Sequence, residues 1–151
     1  VLDGFHGDTA RTVIVGRASE ATERLLAATR EALEAGIGKA RVGNRLSDIS
    51  AAVQTVVEKA GFSVVRAFVG HGIGRDLHEE PQIPNYGRPN RGPRLEAGMT
   101  LAIEPMVNMG ASDVRILSDG WTAVAVDGTT SAHFEHTVAV TDNGPRVLTV
   151  S

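Results

Sequence analysis

HFEHTVAVTDNG, residues 133–144, sets a run of apolar and β-branched side chains around Glu135 and closes on Asp142, Asn143 and Gly144. Val and Thr enrichment predicts a strand over 133–141, and Asn-Gly predicts a hairpin turn into a further strand over 146–150. The same pattern extends back toward the middle of the chain. Residues 62–69, 99–104, 113–117 and 121–126 read as strands, with Asp-Gly turns at 119–120 and 127–128. Residues 81–98 hold four of the six prolines and read as a long loop, a kind of segment that is often functional.

Before Gly61 the periodicity is helical. A short β-branched segment, residues 10–15, predicts a strand. Ser19 then caps a helix with Glu20 and Glu23 in its first turn, where acids favour the positive end of the dipole. Leu25, Leu26, Thr29, Ala32 and Leu33 form its apolar stripe, and Gly36 is expected to stop it. Leu46, Ile49, Val53, Val56 and Val57 predict a second helix from about Leu46 to Ala60, ended by Gly61. Two helices followed by a mostly antiparallel sheet is an α+β pattern, and residues 1–151 read as a single unit.

The bulk numbers narrow the chemistry. A net charge of −3 with scattered basic residues gives no sign of a nucleic-acid partner. The densest basic group, Arg88 to Arg94, is broken by Pro89, Gly92 and Pro93 and reads as a solvated loop. Absence of cysteine removes disulfides and thiolate metal sites and suits a reducing compartment. No apolar run approaches the ~18 residues of a membrane span, so no membrane association is expected.

Histidines and carboxylates gather in HGD (6–8), GHG (70–72), LHEEP (77–81), IEP (103–105) and HFEH (133–136). Each has an ordinary structural reading. Asp8 suits a turn, His71 a strand end and His78 a backbone hydrogen bond. Glu104 in TLAIEPM and Glu135 in HFEHTVAV resist that reading. Both lie inside apolar strand patterns that Lys and Arg avoid, and a buried carboxylate is costly unless it is paired or metal-bound. Carboxylates with one or two imidazoles and no thiols match the donor set of a hard or borderline divalent ion.

GHGIGRDLHEEPQIPNY (70–86), LEAGMTLAIEPM (95–106), SDGWT (118–122) and FEHTVAVTDNG (134–144), in this order, closely resemble the type I methionine aminopeptidases. The resemblance runs from the first residue to the last. It implies the pita-bread fold, with two pseudo-symmetric halves of helices and antiparallel strands. It also implies removal of the initiator methionine from nascent polypeptides at a dinuclear divalent-metal centre using Co, Mn, Fe or Zn. Carried over by motif, Asp8 resembles the bridging aspartate, His71 the histidine ligand, Glu104 the first glutamate and Glu135 the bridging one. Glu104 is also the expected general base, and His78 resembles the histidine that contacts the scissile peptide. Trp121 and Leu77 fall at methionine-pocket positions, with Leu77 where a bulkier aromatic is common.

The family's first aspartate would fall before Val1, so the chain resembles a C-terminal portion lacking the N-terminal part. The resemblance thus implies one complete metal position, Asp8–His71–Glu104–Glu135, while the second keeps only the bridges Asp8 and Glu135. Asp3 reads as a turn residue, His6 as a turn or neighbouring residue, His133 as exposed or partly packed, and His136 as orienting the site. Glu79 and Glu80 read as loop hydrogen-bonders, with Arg75 a partner for one of them. A cytoplasmic protein, monomeric in its full form and working near the ribosome, is expected from the resemblance. The alternatives are a non-catalytic or weakly active metal- or peptide-binding fragment and a related proline-type aminopeptidase.

Overall fold

The computed structural model describes residues 1–150, so Ser151 lies outside the described residues. The first helix, α1 (Glu20–Lys39), begins at Ser19, whose hydroxyl accepts the Thr22 N–H at 3.2 Å. It does not stop at Gly36. That glycine is buried at the crossing with α2 (Leu46–Lys59), where a Cβ would lie 2.9 Å from Val53 Cγ2 and 3.5 Å from Ile49 Cγ2. A missing side chain here lets two helices approach, and so reads in sequence like a helix stop. The second helix has the predicted extent. Asp48 in its first turn accepts the Arg45 N–H at 2.8 Å and the Asn90 N–H at 2.7 Å, pinning the proline-rich loop to the helix start.

The strands are β1 (Thr9–Arg11), β2 (Ser63–Val64), β3 (Gly70–Gly72), β4 (Glu79–Ile83), β5 (Thr100–Ile103), β6 (Met106–Asn108), β7 (Val114–Ile116), β8 (Ala123–Ala125), β9 (Ser131–Thr141) and β10 (Gly144–Val147). The large sheet runs β2-β6-β9-β5-β3-β4, with β1 and β10 also on β9, while β7 and β8 form a separate hairpin. Every pairing of these strands is antiparallel. Two helices against such a sheet make the α+β architecture.

Several boundaries differ from expectation, each for a local reason. The strand expected over 10–15 ends at Arg11. Beyond it the Thr12 hydroxyl takes over the pairing, donating to the His133 carbonyl at 3.0 Å and accepting the His133 N–H at 2.9 Å. The expected loop over 81–98 begins later, because Pro81 is accommodated in β4, an edge strand where a missing N–H need not break a ladder. The 62–69 segment yields only β2, and GHG forms β3. The last hairpin turns on Asp142 and Asn143, so Gly144 already pairs Thr141 and β10 starts two residues early.

The 11-residue β9 organises the core. Ala132, Phe134, Val138 and Val140 join the cluster built on Leu25, Leu33, Ile49 and Val53 of the helices. Side chains alternate faces along a strand, so His133, Glu135 and Thr137 face the other way. At ~25 cal/mol per Å², burying each Leu, Val or Ile of the helical face stabilises by about 1.5–3 kcal/mol relative to leaving it exposed.

Candidate metal centre

The residues singled out in the sequence arrive from four directions. Asp8 follows a tight turn in which Asp3 (φ 51°) and Gly4 (φ 81°) both take left-handed backbone, while Leu2 and Phe5 exchange both backbone hydrogen bonds. Asp3 is the turn residue expected of it. The His6 N–H donates to the Gly74 carbonyl at 2.7 Å, tying this segment to the GHGIG stretch. Asp8 itself is held to β9 through Thr137, whose hydroxyl accepts its N–H and donates to its carbonyl, both at 2.8 Å.

His71 is the middle residue of β3, buried between β4 and β5 and 7% exposed. The flanking glycines exist for proximity: a Cβ on Gly70 would run into the Ala102 carbonyl oxygen, and one on Gly72 into that of Glu80. His71 Nδ1 lies 2.9 Å from the Gly72 carbonyl oxygen. A carbonyl can only accept, so Nδ1 carries the proton and the Nε2 lone pair faces the site.

Glu104 is not inside a strand. It occupies the two-residue break, Glu104–Pro105, between β5 and β6, both of which pair with β9 on either side of Glu135. Pro105 ends the ladder, and the buried Asn85 donates to the Glu104 carbonyl at 3.0 Å. Glu104 Oε1 lies 3.4 Å from His71 Nε2, and its Oε2 lies 3.4 Å from His133 Nε2. Among the described residues no Lys or Arg forms an ion pair with Glu104 or Glu135.

Glu135 is 4% exposed, and its Oε1 has no hydrogen-bond partner. Burial, the nearby charges of Glu104 and Asp8, and a hydrogen bond to the Asp8 carboxyl push its acid up to about 8. Three carboxylates gathered with two imidazoles and no lysine or arginine make a set of donors that a cation would complete. Two donor groups, Asp8–His71–Glu135 and Glu104–His133–Glu135, each bring their ligand atoms within 4.8 Å of one another. Oxygen donors with imidazole and without thiolate fit a divalent ion.

The other expected residues fall at varying distances from this cluster. His78 is exposed and sets its ring against His71, centroid to centroid 4.3 Å and tilted by 60°. Leu77, beside it, is 39% exposed. Trp121 is 89% exposed at the end of the β7–β8 hairpin, where Asp119 accepts the Trp121 and Thr122 N–H groups; it is not buried with the donor cluster. Arg75 pairs with neither Glu79 nor Glu80 and instead lies 4.9 Å over the Phe5 ring; Glu79 accepts the Asp76 N–H at 3.0 Å. His136 turns to the opposite face of β9, its Nδ1 2.8 Å from the Thr149 hydroxyl. His133, expected to be exposed or packed, faces Glu104. The sequence signal for it was its position two residues before Glu135 on one strand.

The chain matches the family described as Metallopeptidase family M24 over residues 1–142. It is 60% identical over 149 residues to the methionine aminopeptidase of Clostridium perfringens, covering 99% of this chain and 60% of that protein. It is 57% identical over 148 residues to methionine aminopeptidase 1 of Bacillus subtilis, covering 98% of this chain and 60% of that protein. The crystal structure of the Thermotoga maritima methionine aminopeptidase superposes with a TM-score of 0.97 at 53% identity, over 99% of this chain and 60% of that one. A dipeptidase from Pyrococcus horikoshii gives 0.76 at 26% identity, over 98% of this chain and 36% of that one. The chain spans about 60% of the length of the methionine aminopeptidases named here.

Proposed function

The chain belongs to Metallopeptidase family M24, and from that premise we propose that it carries the main metal position of a methionine aminopeptidase. The observation that carries this reading is the convergence of Asp8, His71, Glu104 and Glu135 with no lysine or arginine to neutralise the carboxylates. In this reading the substrate is the N-terminal methionyl residue of a nascent polypeptide. The same reading has the protein work in the cytoplasm near the ribosome, as a monomer in its full form.

Asp8, His71, Glu104 and Glu135 would hold the first divalent ion, whether Mn, Fe, Co or Zn, and Asp8 and Glu135 would also serve a second. When bound, the ions supply Lewis-acid polarisation of the scissile carbonyl and lower the pKa of an attacking water. Glu104 is the group that accepts the proton of that water and returns it to the departing amine nitrogen, a base and then an acid in one cycle. The exposed His78 ring, braced edge-on by His71, is free to hydrogen-bond the scissile amide and hold it in line. Leu77 and Trp121 border the methionine side chain. A proline-type specificity is the weaker reading, since identity to methionine aminopeptidases reaches 60%, against 21% to a solved prolidase.

The test is release of free methionine from a Met-Ala-led peptide by the chain supplied with Mn or Co. Turnover that Glu104→Ala abolishes, and that His78→Ala lowers without loss of bound metal, supports the proposal. Tight metal binding without any turnover would instead establish a non-catalytic metal-binding fragment. Full turnover by the Glu104 variant would refute the base assignment.

A further inference from the structure

We propose that Thr137 is a positioning residue: its hydroxyl stands in for a neighbouring strand's backbone and so fixes where the Asp8 carboxylate meets Glu135. The proposal rests on the metal-centre reading above, which takes Asp8 as a ligand, and it concerns a residue that binds no ion itself.

One edge of β9 is shared by two strands in tandem. β1 pairs residues 134–136 and β10 pairs residues 138–141, which leaves Thr137 at the junction. The backbone of Thr137 is already committed. Its N–H donates to the Thr149 hydroxyl at 3.2 Å, and its carbonyl accepts the Leu148 N–H at 2.8 Å. The segment after β10 has therefore taken the groups that a longer β1 would use. Asp8, one residue before β1, finds its place in the ladder occupied. Both its N–H and its carbonyl turn instead to the Thr137 hydroxyl, each at 2.8 Å. A hydroxyl donates once and also accepts, as a peptide unit does, so Asp8 leaves the ladder with no backbone group unsatisfied.

That exchange decides where the carboxylate goes. Side chains alternate along β9, so Thr137 stands on the face that carries Glu135. Bonded to a side chain rather than to the strand itself, the Asp8 backbone is drawn to that face, where its carboxyl meets Glu135. Thr137 is 2% exposed, so water does not compete for its hydroxyl. Two residues earlier, the His6 N–H holds the Gly74 carbonyl at 2.7 Å and anchors the same segment beside β3. Asp8 is thus suspended between the elements that carry His71 and Glu135. Valine has threonine's shape without the hydroxyl, whereas serine keeps the hydroxyl, so the two substitutions separate bonding from packing.

The measurement is the Zn2+ affinity of the chain by calorimetric titration, taken with the melting temperature of the ion-free form. Thr137→Val should weaken the first equivalent by about 10–100-fold, the usual effect of removing a group that holds a ligand, and Thr137→Ser should restore it. Thr141→Val is the control. The Thr141 hydroxyl donates to the Gly144 carbonyl at 2.6 Å, on the same strand but in the hairpin, so its loss should leave the affinity unchanged even where melting falls. Unchanged affinity in Thr137→Val, or an equal loss in Thr141→Val, would overturn the proposal and leave the hydroxyl a role in the fold alone. No uptake of Zn2+ by the unsubstituted chain would instead overturn the metal-centre reading, and this proposal with it. Amide hydrogen exchange of the unsubstituted chain keeps the test independent of how any variant folds. The Asp8 amide should exchange slowly, and more slowly still with Zn2+ bound; an Asp8 amide in free exchange, or one that bound Zn2+ leaves unchanged, would overturn the proposal.

Discussion

Glu135 carries its carboxyl on a strand where burial and two neighbouring carboxylates all oppose ionisation. In the folded, ion-free chain it keeps its proton up to about pH 8, whereas an unfolded chain loses it near the ordinary 4.5. The contribution to the ion-free fold is therefore full below about 4.5 and is lost as pH rises through 8. A divalent ion competes with that proton, so binding at pH 7 should release about one proton per ion bound. Calorimetric titration in two buffers of different ionisation enthalpy measures it, and the release should fade above pH 9. No release at pH 7 would mean that Glu135 is already ionised or does not ligate. His71 shows the complementary case, in which a backbone carbonyl sets the tautomer. That detail is invisible in the letters GHG, although the two glycines do signal the close strand packing that buries the ring.

At the scale of elements, two glycines of α1 separate packing from propensity. Gly36 meets Val53 and Ile49 of α2 and Ile103 of β5, whereas Gly38 has nothing within 4 Å of where a Cβ would stand. Gly36→Ala gains helix propensity but overpacks the crossing, and should destabilise by about 1 kcal/mol net. Gly38→Ala gains propensity alone and should stabilise by about 0.5 kcal/mol. Thermal melts of the two variants should move in opposite directions, by roughly 2–4 °C per kcal/mol. A higher melting temperature for Gly36→Ala would show that the crossing relaxes freely. Helix α2 and the hairpins were legible because their signals are local: a stripe at helical spacing, Asp-Gly and Asn-Gly. The extension of α1 past Gly36, the shortness of β1 and the recruitment of Pro81 into β4 were not. Each depends on what the neighbouring element supplies, namely a partner helix, the Thr12 hydroxyl, and an open sheet edge.

For the whole molecule, the donor cluster joins the first turn, β3, the β5–β6 break and β9, segments spread over nearly the full chain. No helix of the described residues is long and apolar enough to cross a membrane. Three facing carboxylates work against the ion-free fold, so occupancy should stabilise it globally. At a free metal concentration of 100 times Kd the gain is about 2.7 kcal/mol, or roughly 5–10 °C in Tm. Differential scanning calorimetry with Mn2+, reversed by EDTA, measures this. An unchanged Tm at saturating metal would mean that the cluster does not bind the ion in the folded state.

The sequence alone determined the helix–sheet order, the turns and the residue types of a divalent-metal centre, because these rest on periodicity, turn chemistry and donor identity. It also carried the family, through several motifs in one order. Tertiary structure decided which donors meet. It turned His133 inward beside Glu135, sent His136 to the opposite face of the same strand, and set Glu104 in a break that presents each of its oxygens to a different imidazole. Strand alternation makes such facing predictable only once register and ends are known. Those depend on hydrogen bonds to residues more than a hundred positions away, such as Thr137 to Asp8 and Thr12 to His133.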